Sequence, residues 1–156
     1  MKKGLTFILG AFSGVVLTLV VIIAVLPQRM FVEQESKLGF DETVAAIEQS
    51  VKDNNWSMPH QYNLQATMSK HGFSVKPVKV FSLCKPEHAY EILKSDKERP
   101  LSAMMPCRVS VYEKDGKTYV SMMNSGFLSK FMGKTAKEVM GAASAENLQI
   151  LQPILN

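Results

Sequence analysis

The sequence predicts an α+β domain, an antiparallel sheet with packed helices, preceded by one transmembrane helix. Residues 4–26 contain no charged side chain. Two segments with strand-like alternation surround Asp115-Gly116, a dipeptide that favours a tight hairpin turn. Segments whose apolar residues recur at helical spacing lie between and after the strands. Elements in this order pack as helices on an antiparallel sheet.

The first element is the apolar segment at 4–26, which is long enough to cross a bilayer core as a helix of about 20 residues. The apolar part of a cleaved signal peptide has only about 7–15 residues, so an uncleaved anchor is favoured. Lys2 and Lys3 precede the segment, and residues 1–3 should therefore form a cytoplasmic tail. We expect a single-pass protein of a bacterial inner membrane, with its soluble domain periplasmic or extracellular.

Beyond the membrane segment, residues 27–29 should form a short linker and residues 30–156 one domain. Gly10 and Gly14 have the GxxxG spacing that lets two membrane helices approach closely, which leaves a homodimer open as one arrangement. The net charge is +4, and the two lysines ahead of the membrane segment supply half of it. Because the other charges are interspersed, nucleic acid is excluded as a partner. The membrane itself and an unidentified small ligand or protein are the expected partners.

The first half of the domain should contain two strands and two helices. The segment at 30–36 is predicted to be the first strand, and Asp41 is a good N-cap for the amphipathic helix that follows. Trp56 and Met58 alternate with a polar residue as in a strand. A short helix should follow and end before Gly72, because glycine adopts the left-handed conformation that often closes a helix.

The second half of the domain should contain a strand, a helix, a hairpin and a last helix. The strand runs through Val80 to Cys84, and Pro86 suits the first position of the next helix. The hairpin is CRVSVYEKDGKTYVSMM. Thr135 and Glu138 have the spacing of a capping box, which predicts where the last helix begins.

Two segments, LCKPEHAYEIL and MPCRVSVYEKDGKTYVS, resemble the family called domain of unknown function 302. Its members carry a C-x-P-x-x-A segment and then an L-P-C strand that enters a hairpin. The motif positions here are Cys84, Pro86, Ala89, Pro106 and Cys107. Lys85 replaces a common asparagine, and Met105 replaces a common leucine. The resemblance spans about residues 30–155 and implies a fold similar to one TATA-binding-protein-like repeat, a tendency to dimerise, and no assigned reaction.

The candidate ligand or redox residues belong to these two motifs: Cys84, Cys107, Pro86, Pro106 and His88. Cys84 precedes a helix start, where a thiolate is favoured, so thiol redox chemistry is one interpretation. Two buried sulfurs or a structural disulfide are the other interpretations. A metal site is a further one, with the weak candidates Cys84, Cys107, His60, His71 and His88. Thiolate, imidazole and thioether ligands suit copper or haem iron.

No catalytic residues are predicted, because the sequence has no nucleophile elbow, no phosphate-binding glycine loop and no HExxH motif. We therefore expect a binding or accessory domain rather than an enzyme, held outside the membrane by its anchor. Its ligand would be a small molecule, a metal or a haem group, although the sequence requires no cofactor. The alternative is a thiol-dependent redox protein that uses Cys84 and Cys107.

Overall fold

The computed structural model describes the backbone of residues 2–156 and the side chains of residues 10–156. The chain divides into two units, one that ends at Met30 and one that comprises Phe31–Asn156. Helix α1 (Lys2–Met30) makes up the first unit. Its part Gly10–Met30, 21 residues with a mean hydropathy of 2.4, is long and apolar enough to span a membrane. The side chains of the predicted tail at 1–3 lie outside the described residues.

Residues 27–29, the predicted linker, are part of helix α1. Helix α1 continues through Pro27 to Met30, and the first strand starts at Phe31. Proline lacks a backbone donor but has a φ compatible with a helix. Pro27 lies in the last turn of α1, so it removes one helical hydrogen bond shortly before the helix ends.

The Phe31–Asn156 unit contains five strands and five α-helices. In chain order they are β1 (Phe31–Glu35), α2 (Phe40–Asp53), β2 (Ser57–Asn63), α3 (Leu64–Lys70), β3 (Val78–Cys84), α4 (Pro86–Leu93), β4 (Cys107–Lys114), β5 (Lys117–Met123), α5 (Ser125–Leu128) and α6 (Lys134–Leu151). Short 3₁₀ segments lie at Arg99–Met104, Ser129–Phe131 and Gln152–Ile154.

The five strands form one antiparallel sheet in the order β1-β5-β4-β3-β2. This confirms the predicted α+β class. The tight turn between β4 and β5 is also confirmed, since Asp115 has φ 53 and Gly116 has φ 75, the positive values that a two-residue hairpin requires. Strands β3 and β4 are neighbours, and Leu83 lies opposite Cys107. The two motifs identified in the sequence therefore meet at one end of the sheet.

The hydrophobic core lies between one face of the sheet and helices α2 and α6. Phe81, Val109 and Met122 are opposite one another across β3, β4 and β5 and therefore share this face. Ile47 from α2 and Ile150 from α6 are both fully buried against the same cluster. The helices are thus held to the sheet mainly by burial of apolar side chains.

Two helices begin slightly earlier than predicted, and in both cases a glycine is the N-cap. Helix α2 follows Gly39, whose N–H donates to the Glu42 carboxylate at 3.0 Å, so Asp41 lies in the first turn rather than at the cap. Helix α6 follows Gly133, and Thr135 lies inside the helix. Extended backbone at these glycines allows the helices to begin without a side-chain cap.

Candidate ligand-binding cavity

A cavity of about 370 Å³ lies within the Phe31–Asn156 unit, bounded by strands β3 to β5 and by helices α4 and α6. This volume falls in the range of about 300–1,000 Å³ that is typical of small-molecule sites. Most of the lining side chains are apolar. The methionines among them are Met104, Met105, Met122, Met123 and Met140. Methionine is flexible and polarisable, so this lining can adapt to the shape of a ligand.

Both cysteines of the sequence motifs line the cavity. Cys84 ends β3 and Cys107 begins β4, one residue away from being directly opposite. Both are free thiols in this structure. The two cysteines therefore lie in one site, which a joint role in ligand binding or redox chemistry requires. They do not form a disulfide in this structure.

Burial opposes ionisation of both thiols. Burial is the main cause that raises the pKa of Cys84, and the nearby Glu87 raises it further. Burial also raises the pKa of Cys107, and a hydrogen bond from Asn147 offsets this only in part. Both thiols are therefore protonated near neutral pH, despite the position of Cys84 just before a helix start. In this state they line the cavity as small, weakly polar groups.

A carboxylate on α6, Glu146, connects three residues of the cavity wall. Its Oε2 accepts hydrogen bonds from Lys85 Nζ at 2.6 Å and from Trp56 Nε1 at 3.0 Å. Its Oε1 lies 2.8 Å from His88 Nε2. Burial alone would raise the pKa of Glu146, but these hydrogen bonds lower it to about 2. Glu146 therefore remains charged at any physiological pH and fixes the position of its three partners.

The residue after Glu146 is a buried amide in the cavity wall. Asn147 is 2% exposed and lines the cavity from α6. Its Oδ1 atom is buried and has no hydrogen-bond partner. A buried acceptor without a partner costs about 1–3 kcal/mol, so such atoms are uncommon in folded proteins.

The remaining candidate residues from the sequence have different positions. Pro106 lines the cavity, and the peptide bond before it is cis. Pro86 is the first residue of α4 and so places His88, which lines the cavity. His60 lies on β2 with its ring centroid 6.1 Å from that of Tyr62, and His71 caps the end of α3. Neither of these two lines the cavity.

The metal candidates are thus only partly brought together, with Cys84, Cys107 and His88 at the cavity and the other histidines elsewhere. Within residues 10–156, no group of three or more His, Cys, Asp or Glu side chains has an arrangement that could hold a metal ion. A soft metal such as copper(I) would therefore need methionine sulfur in addition to the thiols.

Sequence reasoning missed Glu146 and Asn147. Glu146 is 58 residues from His88 and 90 residues from Trp56 along the chain. No local motif links residues so far apart. The only signal in the sequence is that Asn147 interrupts the apolar side of α6, between Ala143 and Ile150.

The unit is thus an α+β domain that holds an apolar, thiol-lined cavity between an antiparallel sheet and helices. The family model "Domain of unknown function DUF302" matches residues 32–154, and the chain belongs to this family. The resemblance seen in the two cysteine motifs is therefore confirmed. No curated protein matches the sequence.

A solved structure shares the fold. The crystal structure of the uncharacterized conserved protein DUF302 from Bacillus stearothermophilus superposes with a TM-score of 0.72 at 20% sequence identity. The match covers 80% of this chain and 98% of that one. The same fold therefore accounts for nearly all of that other protein.

Proposed function

We propose that the chain is a membrane-anchored, extracytoplasmic binding domain that holds a small, mainly apolar ligand in its cavity. The observation that carries the proposal is the cavity itself, about 370 Å³ in volume and lined mostly by apolar side chains. Apolar cavities with a few well-placed polar groups are the usual form of small-molecule sites. Asn147, Lys85 and His88 supply such groups here.

The anchor part of the proposal rests on α1. Its apolar part is long enough to cross a bilayer, and two lysines precede it. Positive residues remain on the cytoplasmic side, so the cavity-bearing unit would lie outside the inner membrane. A ligand in that compartment would reach the cavity without crossing the membrane.

The alternative function is thiol redox chemistry by Cys84 and Cys107. A redox cysteine acts as its thiolate, and burial raises the pKa of both thiols. Binding is therefore the better-supported function of the cavity. Copper or haem would be a particular form of the ligand, with sulfur and imidazole as donors.

The experiment is to purify the full-length protein from bacterial membranes in an amphipathic polymer and to analyse extracted small molecules by mass spectrometry. Metal analysis and a visible spectrum of the same sample detect copper or haem. We expect a near-stoichiometric apolar compound with the wild type. In the Ala143→Leu variant the added side chain would occupy part of the cavity, because Ala143 is buried and lines it.

The matched control is Ala145→Leu, the same substitution at an exposed position of the same helix. We expect Ala143→Leu to lose at least about tenfold of the bound compound, since added volume in a packed site is poorly tolerated. Ala145→Leu should retain it. Recovery of equal amounts of the apolar compound from both variants, or of no such compound from the wild type, would contradict the proposal.

A further inference from the structure

We infer that the ligand of this cavity is an anionic amphiphile, whose hydrocarbon chain occupies the cavity and whose carboxylate or phosphate head group binds Arg108. The inference rests on the proposed binding function and adds the chemical class of the ligand. Arg108 lines the cavity and is exposed, so its side chain is accessible to a ligand. A guanidinium group presents paired donors that match the oxygens of a carboxylate or a phosphate.

Arg108 lies at the end of the sheet, beside two exposed apolar side chains. Phe31 is opposite Met123 across β1 and β5. Val109 is opposite Met122 across β4 and β5, so Arg108 and Met123 form the next pair of the same register. Phe31, Met123 and Arg108 therefore share one face of the sheet, opposite to the face of Val109. Phe31 is 58% and Met123 41% exposed, and both line the cavity.

Two side chains with a permanent positive charge line the cavity, and they differ in their partners. Lys85 Nζ lies 2.6 Å from the Glu146 carboxylate. Within residues 10–156, no carboxylate forms an ion pair with Arg108. Its contact is with Tyr62, whose ring centroid lies 5.7 Å from Arg108 Cζ. An aromatic ring provides no strong acceptor for the N–H groups, so these donors remain available to an anion.

The rest of the lining favours a hydrocarbon chain. Ser110 is opposite Ser121 and Val80, two residues further along the same face as Arg108, and all three line the cavity. No aspartate or glutamate of residues 10–156 lines it. The methionines of the wall adapt to a flexible chain. A cationic head group would be repelled by Arg108, and a neutral one would leave its charge without a partner.

The membrane is the favoured source of such a ligand. Phe31 directly follows Met30, where α1 ends, so with the proposed anchor it is the first residue beyond the membrane segment. Arg108 is two strands from Phe31 in the same row, a distance of about 10 Å at the usual strand spacing. Fatty acids and phospholipids combine a hydrocarbon chain with a carboxylate or a phosphate. They therefore have the chemistry that this row of side chains and the cavity would recognise.

Trp56 provides the reporter for a test, because it is the single tryptophan of the chain and lines the cavity. The full-length protein is placed in vesicles of phosphatidylcholine, which has no net charge. The probes are 11-bromoundecanoate and 11-bromoundecanol at about pH 8, where the carboxylate is charged. Bromine quenches tryptophan fluorescence at short range, so quenching measures occupancy of the cavity. The two probes share one chain and differ in the charge of the head group.

The measured quantity is the dissociation constant of the alcohol divided by that of the carboxylate. Partitioning of the probes into lipid is the same for every variant and cancels in the comparison. We expect this ratio to be at least about fivefold lower in Arg108→Gln than in the wild type, the size of one partly exposed charged interaction. Arg108→Lys should retain part of the preference, because it keeps the charge.

The matched control is Lys114→Gln, which removes an exposed cation from the same strand that does not line the cavity. It should keep the wild-type ratio. Because Arg108 and Lys114 are both exposed, these variants should fold. Ala143→Leu, which fills part of the cavity, should reduce quenching by both probes.

The outcomes separate the inference from the proposed function. An unchanged ratio in Arg108→Gln would overturn the inference and leave the proposed cavity function in place. Quenching by neither probe, or wild-type quenching in Ala143→Leu, would overturn both. Dodecanoate and dodecyl phosphate, which carry no bromine, are then compared as competitors. The stronger competitor identifies the preferred head group, and failure of both to relieve quenching would contradict the inference.

Discussion

Among single residues, Glu146 links three side chains of the cavity wall through its carboxylate. Its carboxylate contacts Trp56, Lys85 and His88, which come from three separate parts of the chain. These contacts join α6 to α4 and to the start of β2. The cluster is partly exposed, with 30% of the Glu146 side chain accessible, so solvent weakens its contribution.

Glu146→Gln should destabilise the domain by about 1–2 kcal/mol, because Lys85 and His88 lose their anionic partner. The folded pKa of Glu146 is lowered from 4.5 to about 2. Its contribution to stability is therefore fully present above pH 4.5 and is lost as the pH falls toward 2. Urea denaturation between pH 7 and pH 2.5 should show a smaller loss of stability for Glu146→Gln than for the wild type.

The control for this measurement is Glu138→Gln, which removes an exposed carboxylate from the same helix. It should leave both the stability at pH 7 and its pH dependence within about 0.5 kcal/mol of the wild type. If Glu146→Gln matched this control, the cluster around Glu146 would have no role in stability.

The two thiols should react slowly in the folded protein. Because burial raises the pKa of Cys84 and Cys107, the reactive thiolate is scarce at pH 7. We expect iodoacetamide to alkylate the folded protein at least about tenfold more slowly than the protein unfolded in urea. The rate in the folded protein should increase as the pH rises above 9. Mass spectrometry of labelled peptides measures each site separately. Rapid labelling of Cys84 at neutral pH would instead favour the redox function.

At the scale of elements, the sequence predicted those segments that local patterns define. The hairpin follows from Asp115-Gly116 and strand alternation, and α4 begins at Pro86 as expected. The starts of α2 and α6 were both predicted two residues too late, because Asp41 and Thr135 have side chains typical of N-caps, whereas Gly39 and Gly133 are the N-caps. A cap depends on backbone geometry that side-chain type specifies only weakly.

Two glycines should respond in opposite directions to substitution by alanine. Gly116 has φ 75, so Gly116→Ala should cost about 1 kcal/mol or more through strain in the hairpin turn. Gly141 lies inside α6, and a Cβ there would meet nothing within 4 Å. Gly141→Ala should therefore stabilise the protein by about 0.5–1 kcal/mol. Thermal unfolding of both variants checks this, and shifts of the same sign would contradict it.

At the scale of the whole molecule, the two cysteine motifs identified the family and the fold but did not reveal the cavity. The motifs meet because β3 and β4 are neighbours in the sheet. The cavity also needs α4 and α6, and Asn147 reaches it from the far end of the chain. Its walls form only in the packed tertiary structure, so no contiguous stretch of sequence could predict its volume or its lining.

The last prediction concerns the proposed membrane anchor. Because the apolar part of α1 is long enough to span a bilayer, the protein should be found in the membrane fraction with an intact N-terminus, as measured by mass spectrometry. Protease added to spheroplasts should digest the Phe31–Asn156 unit, since the positive-inside rule predicts that the two lysines ahead of the segment keep the N-terminus in the cytoplasm. In a variant with Lys2 and Lys3 both changed to Glu, a larger fraction of molecules than in the wild type should be protected from the protease. A soluble product that begins near Pro27 would show that the segment is a cleaved signal peptide. Full protection of the wild type from the protease would show that the topology is opposite to the one proposed.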